Sequence, residues 1–495
     1  MIRQLIPFSE ELHPRLPTIV GNVDYQTLRL RLEQIDQILR QSGLEAHFVL
    51  HALDGWKLAD NDNVSAKQQL NFQIRSRRAL RCTLLCTLLQ EDYRGFSCQL
   101  AGNPLYQWFC LVDAIDQVRV PSKSELHRFA HWLPANQMRA IMDQLLKTAT
   151  QNPKSLGWTQ SLDLEAYFLD TTCLKANIHF PVDWVLLRDG VRTLMKATLL
   201  IRQAGLCGRM ASPESFLKQM NRLCMAMTQQ TRRVGCKKER KRILRQMKKL
   251  TKVVKAHAQR HRDLLDQQWQ QTELTRGQAD QILRRIDGVL TLLPKAVKQA
   301  HERIIGGRRV ANDQKILSLY EPDVQVIVRG KAGADVEFGN TVLLGENGQG
   351  IILDCQLFEE SAPADSQLVF DSLTRVKQAT GRSVGAVGTD RGFSSADNSQ
   401  KLKEEGIFDG MCPRNPSQLR RRMRGAKFVK LQRRRAQTEG RISILKNVYL
   451  GQPMRAKGFE HRELALLWGV LTHNLWRFAK LSKIKGKPKP KRARF

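Results

Sequence analysis

No apolar run in this chain approaches the roughly 20 residues that a helix needs to cross a bilayer, and the opening MIRQLIPFSEEL lacks the basic, apolar and small-residue order of a secretory signal. The expectation is therefore a chain that neither spans a membrane nor is secreted. Its ten cysteines stand mostly far apart, none forms a CxxC, and no paired histidine spacing completes a zinc set. A structural zinc site is not expected, and scattered thiols fit a cytosolic compartment. No internal repeat is evident. Acid is the scarcest chemistry: 47 Asp+Glu face 81 Lys+Arg, a net charge of +34 over 495 residues. Such a surplus attracts polyanions, nucleic acid first among them, although charge alone does not separate DNA from RNA. Hydrophobic residues make up 42%, enough for a buried core in three or four units at roughly 100–200 residues per domain.

Along the chain, residues 25–43 carry Leu28, Leu32, Ile35 and Ile38/Leu39 at helical spacing. Residues 76–100 repeat the pattern with Leu80, Leu84, Leu85, Leu88 and Leu89, and Ser122 suits the cap of a helix beginning at Glu125. Short helices of this density fit a DNA-binding module or a structural bundle. At 166 the pattern changes. AYFLDTT predicts a buried strand with Asp170 at its end. A long helical region follows, about 191–305, in which Ile243, Met247, Leu250, Val254, Ala258 and Leu265 keep an apolar stripe. Within it, 231–262 holds 14 Lys/Arg against the single acid Glu239. That ratio is too lopsided for salt-bridge lacing and favours phosphate contact over a solvated face. DVQVIVRG, DVEFGNTVLLG and GIILDCQLF, divided by Gly and Asn-Gly, then predict an antiparallel meander. A helix over 365–380 leads to a strand, SVGAVGTD, that closes on Asp390. Helix resumes over 418–446, and a final amphipathic helix runs over 461–481 with Trp468 and Trp476 toward the core. The last 16 residues hold eight basic residues and no acid, the composition of a disordered tail.

Cleavage of phosphodiesters by hard divalent ions needs converging oxygen ligands in surroundings that tolerate a polyanion. Glu439 draws notice because it is the only carboxylate from 410 to 459, while 420–446 supplies eleven basic residues. An acid so isolated is a salt-bridge partner or a metal ligand. Arg435 lies four residues before it and Lys446 seven after, so one helix would set a carboxylate between two cations on one face. Asp170 and Asp390 each close a short apolar strand before a turn-prone segment, where ligands gather in strand-and-helix sheets. Helix caps also follow strands, so either aspartate alone leaves both readings open.

FLDTTCLKANIHFP, VGTDRGFSS and QRRRAQTEGRISILKN resemble the three catalytic blocks of DDE transposases from bacterial insertion sequences. Arg435-x3-Glu439-x6-Lys446 resembles their Tyr-x2-Arg-x3-Glu-x6-Lys signature, with Gln432 in the Tyr position. The resemblance extends over about 167–481 and, more weakly, to the helical N-terminal domain these enzymes often carry. It implies an α/β fold: an RNase H-like mixed sheet flanked by helices, with a long helical insertion and an all-α N-terminal domain. The expected division is 1–150 for the DNA-binding helices, 160–190 and 315–480 for the catalytic domain, 191–310 for the basic insertion, and 481–495 for the tail. The insertion would hold DNA or a partner subunit, since Asp170 and Asp390 stand farther apart in sequence than a bare core needs.

By the same resemblance, Asp170, Asp390 and Glu439 bind Mg2+, which Mn2+ can replace. Arg435 and Lys446 contact phosphates of the element end or target. Arg391 pairs with a neighbouring carboxylate or contacts DNA, and Lys331, near a strand end, is a further DNA-binding candidate. The implied partners are double-stranded DNA and further copies of the chain, as a homodimer or larger synaptic complex in the bacterial nucleoid. The implied reaction is cleavage at insertion-sequence ends and transfer of the freed 3′-OH into target DNA. A non-catalytic DNA-binding relic or repressor of the element would explain the charge equally well.

Overall fold

The computed structural model describes residues 5, 14–56, 65–230, 235–331 and 334–481. Two compact units divide the chain: Met1–Leu174, Thr341–Phe358 and Ala362–Phe495 form the first, and Lys175–Asn340 with Glu359–Ser361 the second. The tail expected over 481–495 lies, from 482 onward, outside the described residues.

The first unit begins with α1 (Val23–Gln41), α2 (Leu44–Gly55), α3 (Ala66–Leu89), α4 (Tyr93–Gly102), α5 (Pro104–Phe109), α6 (Lys123–Ala130) and α7 (Ala135–Gln151). Side-chain caps start several of them. Asn22 accepts from the Tyr25 N–H at 2.8 Å, Ser65 and Gln68 close a capping box, and Ser122 accepts from the Glu125 N–H at 3.3 Å. The pattern over 76–100 is divided between two helices. Leu89 ends α3, Gln90 adopts a φ of 57°, and Asp92 caps α4 by accepting from the Arg94 and Gly95 N–H groups. Fully buried Arg81 donates to Glu45 (2.6 Å), Asp36 (2.7 Å) and the Phe109 carbonyl (3.1 Å), which ties α1, α2, α3 and α5 together.

The strands are β1 (Tyr167–Lys175), β2 (Gln325–Lys331), β3 (Ala334–Asn347), β4 (Ile352–Leu357), β5 (Ala386–Gly388) and β6 (Phe408–Asp409), in a mixed sheet ordered β2-β3-β1-β5-β6 with β4 also on β3. In the first unit, β4 pairs antiparallel with the second half of β3, Val342 opposite Leu357. Parallel pairs join β1 to β5 and β5 to β6. The three-strand run thus has antiparallel pairing throughout, with β2 on the first half of β3 and β4 on the second. Asp170 differs from expectation: the strand continues past it to Lys175, because Cys173 and Leu174 are buried beyond it.

The remaining helices of this unit are α12 (Leu368–Thr380), α13 (Ala396–Glu404), α14 (Pro416–Arg422), α15 (Ala426–Arg435), α16 (Thr438–Ile444) and α17 (Phe459–Leu481), numbered after the four of the second unit. One buried cluster contains Leu32, Phe48, Leu84, Phe129, Tyr167, Val342, Val387, Trp468 and Phe478. The N-terminal helices, the sheet and α17 therefore share a core. Trp468 lies in it and donates its Nε1–H to the Ala130 carbonyl at 3.0 Å, while Trp476 packs partly buried at its margin.

The second unit is a bundle of α8 (Asp183–Gln203), α9 (Pro213–Gln230), α10 (Lys237–Gln268) and α11 (Arg276–Ala300), together with β2 and the start of β3. Its helical run begins at Asp183 rather than near 191. Ile243, Met247, Leu250, Val254, Ala258 and Leu265, the stripe expected from the spacing, are all buried in the bundle core. Gly190 lets α8 and α11 approach: a Cβ there would stand 2.6 Å from Leu293 Cδ1. Among the described residues, no helix is long and apolar enough to cross a membrane.

Candidate active site

Parallel pairing of β1 and β5 matches Tyr167 with Val387 and Phe168 with Gly388. β5 ends at Gly388, so Asp390 follows two residues beyond the strand that pairs with β1, and Asp170 lies two residues beyond the last paired position of β1. The alternation of strand side chains explains why the sequence works here. Phe168 and Leu169 are buried, and half-buried Asp170 follows on the same face of the strand as Phe168. Asp390 stands just past β5, where its Oδ1 accepts from the Gly392 N–H at 2.9 Å and caps the short turn Arg391–Phe393. Arg414 holds that turn by donating to the carbonyls of Arg391 and Gly392 at 3.1 and 3.0 Å.

Asp170 carries the electrostatic signature of the cluster. Burial and the Asp390 charge push its carboxyl up to about 6, and Glu439 adds to the rise. The Thr171 N–H, donating to Asp170 Oδ1 at 2.8 Å, and the Arg435 guanidinium act the other way. Asp170 therefore senses two acids far from it in sequence, both in the first unit. Among the described residues, however, no group of three or more His, Cys, Asp or Glu stands ready to enclose a metal ion.

The segment after β6 departs from the single helix expected over 418–446. Arg435 is the last residue of α15, Glu439 lies in the first turn of α16, and Lys446 falls in a π-helical turn, Leu445–Leu450. Tertiary anchors explain the break. Arg434 stacks on the Phe168 ring at 4.9 Å and donates to Glu346 (3.0 Å) and to the Gly348 and Asn347 carbonyls (3.1 and 3.0 Å). The Thr438 hydroxyl donates to the same buried Glu346 at 3.0 Å. Gln432, where the signature has Tyr, donates to the Thr389 and Gly410 carbonyls at 3.2 and 2.6 Å, which joins α15 to the ends of β5 and β6. Glu439 is exposed, and the Lys446 ammonium donates to the Thr172 hydroxyl at 2.7 Å, two residues beyond Asp170.

Asp390, Glu439 and Arg435 therefore lie within electrostatic reach of Asp170, with Lys446 tied to the strand that carries it. Arg391 is exposed next to Asp390. Lys331 ends β2 in the second unit, and its side chain lies outside the described residues. In that unit Lys175 pairs with Glu337 at 3.0 Å, and His179 is exposed.

Sequence reasoning missed Asp365. The Thr171 hydroxyl donates to Asp365 Oδ1 at 3.0 Å, and a Cβ on Gly392 would meet both Asp365 Oδ2 (2.7 Å) and Asp390 Oδ1 (3.2 Å). A fourth carboxylate therefore sits between the strand that carries Asp170 and the turn that carries Asp390. It lacked the signal that singled out Glu439, because Glu359, Glu360 and Asp371 surround it in sequence. An apolar cavity of about 500 Å³, lined among others by His127, His131, Tyr449, Met454 and Trp468, has none of these four acids on its wall. No family model, curated protein or solved structure matches the chain.

Proposed function

We propose that the chain is a DDE transposase with an RNase H-like catalytic core, cutting DNA at the ends of an insertion sequence and joining the freed 3′-OH to target DNA. The observation that carries the reading is the parallel pairing of β1 with β5, which brings the strand leading to Asp390 beside the strand that bears Asp170, 220 positions away in sequence; burial, and after it the Asp390 and Glu439 charges, raise the Asp170 carboxyl. The sheet supports the fold: an antiparallel β3–β4 pair beside β1, two parallel neighbours β5 and β6, and helices around them. One acid on β1, a second just past its parallel neighbour β5 and a third on a following helix suit an RNase H-like core.

A divalent cation suits these donors on chemical grounds, since the set offers only carboxylate oxygens and a cation would offset the burial and the Asp390 charge that raise the Asp170 carboxyl. Asp170, Asp390 and Glu439 would hold Mg2+, or Mn2+ in its place, and the ion would supply Lewis acidity and a bound water of lowered pKa. Arg435, whose charge acts on Asp170, and Lys446, bonded to Thr172, would neutralise phosphate oxygens of the bound duplex. Positioning and charge neutralisation then provide most of the rate, with no covalent enzyme intermediate. Pairing of two DNA ends calls for a dimer or larger complex.

The test is Mg2+-dependent cleavage of end-containing duplex by Asp170→Asn and Glu439→Gln. Both variants should bind DNA and lose cutting by roughly 1,000-fold or more, on the scale of removing an essential charge-stabilising group. Folded variants that cut at the normal rate would overturn the assignment and leave a non-catalytic DNA-binding protein.

A further inference from the structure

The long helix α10 carries a basic face that the carboxylate chemistry does not use. Its apolar stripe, including Ile243, Met247, Leu250 and Val254, is buried in the bundle core of the second unit, which locks the rotation of the helix. The opposite face is then fixed as well. Lys238, Arg242, Arg245, Lys249 and Lys252 are all exposed there, at spacings of four, three, four and three residues, and so form one straight row. At 1.5 Å per residue the row is about 21 Å long.

Pairing does not account for it. Arg242 bonds Glu239 at 2.6 Å, but among the described residues no carboxylate pairs with Lys238, Arg245, Lys249 or Lys252. Like charges three and four residues apart repel, so the row is a face built at a cost that a polyanion would relieve.

We propose that this row docks along the phosphate backbone of duplex DNA without reading its sequence. A straight, rigid row of cations matches a stiff double helix, in which one strand presents about six phosphates over 21 Å. Two features count against single strands: α10 exposes no Phe, Tyr or Trp along the row, and single-strand grooves use such rings as stacking platforms. The row also lacks the side-chain amides and hydroxyls that commonly accompany base readout. This docking goes beyond the cleavage reading and stands without it.

The experiment measures binding of the full-length protein to a short duplex of random sequence by fluorescence anisotropy across a range of salt. The variant K238Q/R245Q/K249Q/K252Q should bind at least tenfold more weakly at low salt. Its plot of log affinity against log salt should be shallower by about 3 to 4, near 0.9 per lost contact. Its thermal midpoint should not fall, since all four side chains are exposed and their mutual repulsion is removed. K238Q/K249Q should lose about half as much slope, which gives a second reading if the quadruple variant folds poorly. An unchanged slope on duplex DNA overturns the proposal, as does a loss seen only with single-stranded DNA or RNA. The test reads binding and leaves Asp170, Asp390 and Glu439 untouched, so failure of the catalytic reading and failure of this one give different results.

Discussion

Gly392 and Asp365 meet across two turns with no space for a side chain, since a Cβ on Gly392 would stand 2.7 Å from Asp365 Oδ2. Asp365 cannot swing away freely, because its other oxygen accepts from the Thr171 hydroxyl. The glycine therefore sets how closely the turn after Asp390 approaches the strand that bears Asp170.

Gly392→Ala should displace the Asp390 turn or the Asp365 carboxylate by several tenths of an ångström or more. Misplacement on that scale at reacting groups costs up to about 100-fold in rate. Single-turnover cleavage kinetics should show a 10- to 100-fold loss, with DNA affinity unchanged. A variant that cuts as fast as the parent would show that this close approach does not matter to the chemistry.

Arg434 is the anchor of α15 and α16. Its removal leaves Glu346, only 5% exposed at the side chain, without its close ion-pair partner; Arg441 stands at 3.9 Å. Arg434→Ala should destabilise the protein by about 3–5 kcal/mol, the usual penalty for stranding one member of a buried pair. Combining it with Glu346→Gln should recover part of that loss in urea denaturation. Strict additivity of the two changes would contradict the pairing.

His473 makes stability depend on pH. Its Nε2–H donates to the Gly350 carbonyl at 3.0 Å, its Nδ1 has no partner, and burial pushes its pKa down to about 4. In the unfolded chain a histidine titrates near 6.5. The folded pKa is the lower one, so the neutral ring contributes fully above 6.5, and the contribution is lost as pH falls from 6.5 toward 4. Between pH 7 and pH 4 the parent should lose about 3 kcal/mol more than His473→Gln. Equal losses in the two proteins would contradict a neutral buried ring.

Local physics was readable before any contact was known. Ser122 capped its helix as the spacing required, and the six apolar positions of α10 faced inward because a 3.6-residue period leaves an amphipathic helix one way to bury them. The isolation of Glu439 and the apolar runs before Asp170 and Asp390 were likewise visible in composition alone. Pairing was not. That β1 continues past Asp170, that β5 runs beside it toward Asp390, and that Asp365 reaches both the Thr171 hydroxyl and the Asp390 turn all depend on strand pairing. Register joins positions more than 200 residues apart, and no local pattern encodes it. The break between Arg435 and Glu439 has the same origin, because Glu346, Phe168 and the carbonyls of Thr389 and Gly410 hold this segment from outside it. Helix faces followed from the chain's own periodicity, whereas the meeting of the acids required the long-range packing of the sheet.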